Sequence, residues 1–349
     1  MGHILSSIAA GFSGLMNTFA AKTSDIVLQN LDMSDINFLE REISMWKTSP
    51  ERMMQIKGHL YYDGDHDIIY RKRTAIGEKG ELIQVENLPN NRLIDNQYAK
   101  LVNQKANYLL GQPFAMESNN KQYAQALKTI FDKRFMKMLK SAGKSMLEGG
   151  ICWIYPYYTE DGKFSFRVFP AYEILPFWSD TEHTEIDAAV RLYLVAEYNG
   201  SSPSVTEKVE VFTASGIHRY VLRGSTLSPD VDLYSGRNAS SYASAINQDG
   251  SIIPLNWSRI PLIPLKYNEC ETSLLKKVKA LQDGINVMLS DFANNMQEDA
   301  RNTILVLKNY DGTNLGEFRR NLVTYGIGQL SSHFEPFPYC QCAGCDSNA

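Results

Sequence analysis

A chain of 349 residues exceeds the length at which one hydrophobic core usually keeps growing, so two or more structural regions are expected. With 44% hydrophobic and 21% charged residues it lies within ordinary globular usage and outside the disordered and collagen-like ranges. Lys and Arg number 35 against 39 Asp and Glu, a net charge of -4, which lacks the basic excess of a protein that grips phosphates and excludes tight non-specific nucleic-acid binding.

In chain order, Ile4, Leu5, Ile8, Phe12, Leu15, Met16 and Phe19 recur at spacings of three and four, the pattern of a one-sided helix, and predict an amphipathic arm over 1–33. A signal peptide would place a basic segment ahead of a continuous apolar run. Here only His3 precedes the segment, and Ser6, Ser7, Ser13 and Asn17 interrupt it. Residues 34–150 read as a helical region. Ser34 and Asp35 can cap a helix on which Ile36, Leu39, Ile43 and Trp46 share a face before Pro50. Tyr61, Tyr62, Ile68, Ile69 and Tyr70 flank Asp63-Gly64-Asp65 and predict a hairpin near 61–71. Leu93, Leu101, Val102, Tyr108 and Leu109 ride a helix that Gly111 and Pro113 stop. One more helix is expected from about Lys121 to Glu148, ended by Gly149-Gly150.

Residues 151–270 change character. Clusters at 151–158, 164–169, 190–196, 209–212 and 217–222 are rich in aromatic and β-branched residues and predict strands, while the Ser, Asn, Asp and Gly of 224–250 predict a long exposed loop. Residues 271–303 hold the strongest helical signal. Leu274, Val278, Leu281, Ile285, Leu289, Phe292 and Met296 line one face, and Lys276, Asp283, Ser290, Asn294 and Arg301 the opposite one. Such a helix spans roughly 40 Å at ~1.5 Å per residue, a length suited to an interface. A distal region begins over 304–330, and 331–349 form an atypical tail without amphipathic period. The sum is an α+β chain with a helical N-terminal part, a β-rich middle and a long helix, without an internal repeat or an apolar run of the ~18 residues that a membrane span needs.

No sequence motif supplies catalytic, cofactor or metal residues. Ser141-Ala142-Gly143-Lys144-Ser145 ends like a phosphate-binding loop, yet Met138 stands where its first glycine belongs, inside a predicted helix. Asp63, Asp65 and Asp67 begin like a calcium loop, but Ile68 replaces the turn glycine and Thr74 the bidentate glutamate. The six histidines have no ligand spacing, and Cys340, Cys342 and Cys345 near His333 lack the second pair of a zinc knuckle. Cys152 and Cys270 stand alone and read as reduced thiols.

Seven segments in fixed order carry a family resemblance. They are Tyr61-Tyr62-x-Gly64 with Ile69 and Arg71; Asn87-Leu88-x-x-Asn91; Lys105-x-x-Tyr108-Leu109-Leu110-Gly111-x-Pro113-Phe114; Gly150-x-x-Trp153-x-x-Pro156-Tyr157; Pro170-x-x-Glu173-Ile174-x-Pro176; Ile260-Pro261-Leu262-Ile263-Pro264 with Asn268-Glu269; and Leu281-x-Asp283 with Ser290-Asp291-Phe292-Ala293-Asn294-Asn295 and Ile304-Leu305-Val306-Leu307. Over about residues 35–325 the chain resembles the portal proteins of tailed double-stranded DNA bacteriophages.

The resemblance implies a portal fold: a helical N-terminal wing region, a β-rich middle of wing sheet or clip, and a stem or channel-proximal helix. It implies a subunit of a dodecameric ring at one capsid vertex, assembled in the host cytoplasm and free of membrane, through which double-stranded DNA passes without sequence specificity. The expected partners are other copies of the chain, the terminase motor, scaffolding and major capsid proteins, head completion and tail proteins. The terminase hydrolyses ATP, so this subunit needs no cofactor and is no enzyme. A mildly acidic surface suits a channel in which DNA slides. Lys276, Asp283, Asn294 and Arg301 are candidates for a DNA-channel or groove face, with a solvated outer face as the plainer reading. Family members usually continue into a further wing helix and a helical crown, so a truncated or frameshifted product is an expectation here. A non-ring virion adaptor is the alternative function.

Overall fold

The Asp35 side chain accepts a hydrogen bond from the Asn37 N–H and caps the start of helix α1 (Ile36–Lys47), which buries Leu39 and Ile43 one turn apart. The computed structural model describes residues 32–299 apart from positions 77–78, 86–87, 115, 160, 200–201, 233–235, 248 and 250, together with 305–308 and 327–330. The expected arm over 1–33, the distal cysteines and Arg301 lie outside these residues, save positions 32 and 33. The chain divides into two units, one of residues 1–63 and 97–278, the other of residues 64–96 and 279–349.

In the first unit α1 is followed by α2 (Pro50–Asp63), α3 (Gln97–Leu110), α4 (Lys121–Ile130) and α5 (Lys133–Gly149). The expected hairpin near 61–71 is absent: residues 61–63 are the last turn of α2, Gly64 turns the chain at φ 96°, and Asp67–Tyr70 form a 3-10 turn. Tyr61 is fully buried from a helical position, so its aromatic character reports a helix face and not a strand. The single helix expected over 121–148 is two, because Asp132 accepts from the N–H groups of Arg134 and Phe135 and starts a new helix there. Gly150 ends α5 in the left-handed conformation at φ 88°, its N–H bonded to the Met146 carbonyl.

The β-rich middle is as expected. Strands β3 (Ile151–Tyr158), β4 (Phe164–Pro170) and β13 (Ile263–Lys266) form an antiparallel sheet in the order β13-β3-β4. A larger antiparallel sheet contains β5 (Ile174–Trp178), β6 (Ile186–Asn199), β7 (Ser202–Thr213) and β8 (Gly216–Arg223), with β9 (Thr226–Pro229) and β10 (Ala239–Ser240) sharing the far edge of β8. The expected loop 224–250 thus carries short strands, and β11 (Ala243–Ile246) pairs with β12 (Ile252–Leu255) as a separate hairpin.

Alternation along the strands builds three apolar layers. Val190, Leu192, Val209 and Val211 meet Leu39 and Ile43 of α1 on one face of the larger sheet. Ala189 and Phe212, on its other face, meet Trp153 and Phe169 of the smaller sheet. Cys152 and Ile154, on the opposite side of β3, pack with Tyr61, Tyr98, Val102 and Leu147 of the helices. β3 is therefore buried on both faces, which is why its sequence reads as a continuous apolar run.

Close approach of α2 to α5 depends on Gly58, because a Cβ there would overlap the backbone carbonyl of Glu148. Since that atom belongs to a helix backbone and cannot yield, Gly58→Ala is expected to destabilise the chain by about 2 kcal/mol in urea unfolding followed by tryptophan fluorescence.

Candidate functional site

The long helix signal becomes α6 (Leu274–Asp299), whose first residues, Leu274 and Leu275, are buried in the first unit. From Lys279 onward α6 belongs to the second unit, with the hairpin of β1 (Thr74–Ile76) and β2 (Leu82–Gln84) and the parallel pair β14 (Leu305–Lys308) and β15 (Ile327–Leu330).

What α6 buries in this unit is its polar face. Gln282, Asn286, Ser290 and Asn294 recur every fourth residue and are all buried, Asn286 and Ser290 completely. Each side chain meets the backbone of an extended segment at 91–95. The Asn91 N–H donates to Asn294 Oδ1 at 2.7 Å, the Leu93 N–H to Ser290 Oγ at 2.9 Å and the Asp95 N–H to Asn286 Oδ1 at 3.2 Å. Gln282 Nε2 donates back to the Asp95 carbonyl at 2.8 Å. The match is metric: four helical residues advance ~6.0 Å and two extended residues ~6.6 Å, so alternate N–H groups of the segment meet successive turns of the helix.

Further bonds fix the pattern. Asn286 uses its Oδ1 as an acceptor, so its Nδ2 donates to Nδ1 of the fully buried His66 at 2.8 Å. Asn91 also donates its amide to Asn294 Oδ1 and Gln297 Oε1. Arg92 donates to the Ile69 carbonyl at 2.7 Å and Arg73 to that of Pro89 at 2.6 Å. Two ion pairs, Lys279 with Asp67 and Arg71 with Asp291, join the 67–71 stretch to α6. The hydrogen-bonded order of residues 66, 91, 93 and 95 along α6 is thus set by polar groups.

Among the described residues the apolar face is left open. Leu281 is 70% exposed and Phe292 64%, with Met288 and Met296 similarly exposed along the same stripe. A stripe of large exposed apolar side chains across four turns of helix is a candidate association surface.

The four positions singled out as a groove face separate. Lys276 is exposed in the first unit, where it lines a cleft. Asp283 is half-exposed and paired with Lys279. Asn294 is buried against Asn91, and Arg301 lies outside the described residues. Gln282 and Asn286 were not singled out, although their uncharged hydrogen-bonding types at strict fourth-residue spacing with Ser290 and Asn294 are a readable signal beside the Asn90-Asn91 pair.

Among the described residues, no group of His, Cys, Asp and Glu is arranged to hold a metal ion, and no helix is long and apolar enough to cross a membrane. Lys144, at the broken phosphate-loop motif, lies within α5 and donates to the Tyr62 hydroxyl at 2.9 Å.

Residues 51–333 match the family model described as phage portal protein, SPP1 Gp6-like. The chain is 30% identical to the portal protein of Bacillus phage SPP1 over 283 residues, which cover 81% of this chain and 54% of that protein. It is 23% identical to the portal protein of Clostridium phage phiCD119 over 286 residues, covering 79% of this chain and 58% of that one. The chain spans little more than half the length of these curated relatives.

Loss of one buried partner should expose the strength of the polar ladder. Ser290→Ala orphans the Leu93 N–H and is expected to cost about 1–2 kcal/mol in urea unfolding, while Asn286→Leu removes at once the bonds to the Asp95 N–H, Gln282 Nε2 and His66 Nδ1 and is expected to cost roughly 3–5 kcal/mol. Hydrogen exchange at the Asp95 amide should accelerate in the second variant and stay slow in the first.

Proposed function

Because the chain belongs to the phage portal protein family of the SPP1 Gp6-like type, we propose that it acts as a structural ring subunit at one capsid vertex, through which viral DNA is packaged and ejected. The ring is dodecameric in this reading and has no catalytic centre. It docks the terminase motor during packaging, meets scaffolding and major capsid proteins during assembly, and later receives head completion and tail proteins. Its site of action is the virion, after assembly in the host cytoplasm.

The observation that supports this reading is the reversed burial on α6. A monomeric protein gains by turning apolar side chains inward, since fully burying a Leu, Phe or Met contributes about 1.5–3 kcal/mol. Here Gln282, Asn286, Ser290 and Asn294 occupy the inward face and Leu281, Met288, Phe292 and Met296 the outward one. In a closed ring every subunit presents such a stripe to a neighbour, and the same contact repeats until it closes. The groove-face role first assigned to Lys276, Asp283, Asn294 and Arg301 is retained here for Lys276 and Asp283, whose side chains reach solvent. Asn294 serves the packing of Asn91.

DNA slides in this reading because the chain is mildly acidic and does not neutralise many phosphates. The adaptor alternative needs no ring, so the mass of the particle separates the two. Light scattering and negative-stain imaging of the purified chain should find closed rings. The double substitution Leu281→Asp with Phe292→Asp should give folded monomers with unchanged circular dichroism. A parent chain that is monomeric at every concentration sinks the ring reading.

A further inference from the structure

The first unit holds a cleft of about 1240 Å³, of whose lining the ring reading uses Lys276 alone. Its walls come from the end of α1, the start of α2, strand β5, the turn at 179–183 and the loop at 269–273. Trp46, Trp153, Phe177 and Trp178 give it an aromatic lining.

Three features of the cleft bear on what it could hold. The first is a pair of unmade hydrogen bonds. Trp153 lines the cleft at 1% exposure, and among the described residues its Nε1–H has no acceptor and the Oε1 of Gln55, which also lines it, has no donor. Buried polar groups are nearly always paired, and a ligand that offers both an acceptor and a donor suits this pair. A peptide backbone carries a carbonyl and an N–H in each residue.

The second feature is strain at the rim. Among the described residues, His183 at φ 58° and Glu271 at φ 52° are the non-glycine residues with left-handed backbones, and they bond to each other, Nδ1 to Oε1, at 2.9 Å. The turn bearing His183 is held by Asp180, which accepts from the N–H groups of Thr184 and Glu185; those bonds hold its carboxyl down at about 2. His183 stacks on Trp178 at 4.7 Å, and Lys266 binds Glu271 and lies over the same indole. Backbone strain held in place by such a set of contacts is characteristic of binding sites.

The third feature is charge. Glu51, Glu182 and Glu269 line the cleft, are exposed and form no ion pair among the described residues, whereas Lys276 is the exposed cation of the lining. An anionic rim above an aromatic floor selects a cationic and apolar occupant.

We propose that this cleft is the docking site for an extended segment of a partner protein, in which an aromatic and aliphatic core is flanked by lysine or arginine. The aromatic side chain enters among Trp46, Phe177 and Trp178. The segment's backbone serves Trp153 Nε1 and Gln55 Oε1, and its basic residues meet Glu51, Glu182 and Glu269. The proposal does not depend on ring formation, because every lining residue belongs to one unit of one chain.

The test uses the full chain and a fluorescein-labelled peptide of twelve residues carrying one tryptophan and two leucines between flanking lysines, read by anisotropy. Its counterpart has glutamates in place of the lysines. The lysine peptide is expected to bind and the glutamate peptide to bind at least tenfold more weakly. Glu51→Lys combined with Glu269→Lys, both exposed and unpaired, should weaken the lysine peptide at least tenfold. Trp153→Phe removes the N–H together with the pyrrole part of the buried indole, and should weaken it about threefold or more, with circular dichroism checking that the chain stays folded. Asp187→Lys, an exposed change outside the lining, should leave affinity unchanged. Equal binding of the two peptides, no binding of the lysine peptide, or indifference to the glutamate reversals overturns the proposal. Binding confined to dissociated protein also overturns it, because a neighbouring copy then fills the cleft.

Discussion

The second unit depends on one constraint: an extended stretch of backbone at 91–95 is hydrogen-bonded by side chains of a helix instead of by another strand. Asn294, Ser290 and Asn286 accept from alternate N–H groups of that stretch. Once a helix supplies this ladder, its polar face must turn inward, and its apolar face must turn out. The free energy lost when a buried donor is orphaned is larger than that gained when an extra hydrogen bond forms, so the arrangement specifies register more than it adds stability. Residues 64–96 hold together with α6 through this specificity, since all three large apolar clusters among the described residues lie in the first unit.

The first unit is organised on the opposite principle. β3 is apolar on both faces because it is the middle of a layered stack, with the helical cluster of Tyr61, Tyr98 and Leu147 on one side and the larger sheet on the other. Glycine makes the layers fit: Gly58 admits the backbone of Glu148, and Gly150 takes the left-handed turn that carries α5 into β3. A rigid frame of this kind can hold a strained pair such as His183 and Glu271 at the mouth of a cleft. The portal family membership and this frame are separate facts. Family fixes the architecture, and the particular residues decide what the surface can meet.

Much of this was legible from sequence, and the failures share a cause. Val190 and Leu192 on β6 and Val209 and Val211 on β7 stand two residues apart and announce one buried face. The Asp63-Gly64-Asp65 turn was also real, but Tyr61 and Tyr62 before it are helical, because aromatic residues satisfy a helix face and a strand face equally well. The break at Asp132 was signalled by a capping residue inside an apparent long helix. For α6 the helical period is legible, but the polar face drawn from it joined Lys276 and Asp283 to Ser290 and Asn294, whereas the buried face runs through Gln282, Asn286, Ser290 and Asn294. Periodicity says which residues share a face; it does not say what covers each face. That information lay in residue type: Gln282, Asn286, Ser290 and Asn294 are uncharged hydrogen-bonding residues, fitted to meet a backbone, whereas a solvated face would favour Lys and Glu.

The central claim is that the exposed face of α6 meets another copy of the chain. A photo-reactive benzoylphenylalanine placed at position 292, with a second protein bearing it at exposed Asp187 for comparison, tests this directly when irradiated protein is resolved by denaturing gel electrophoresis. The account predicts a ladder of covalent multimers of this chain from position 292 and monomer alone from position 187. Monomer alone from position 292, at concentrations where the chain is folded, would contradict it.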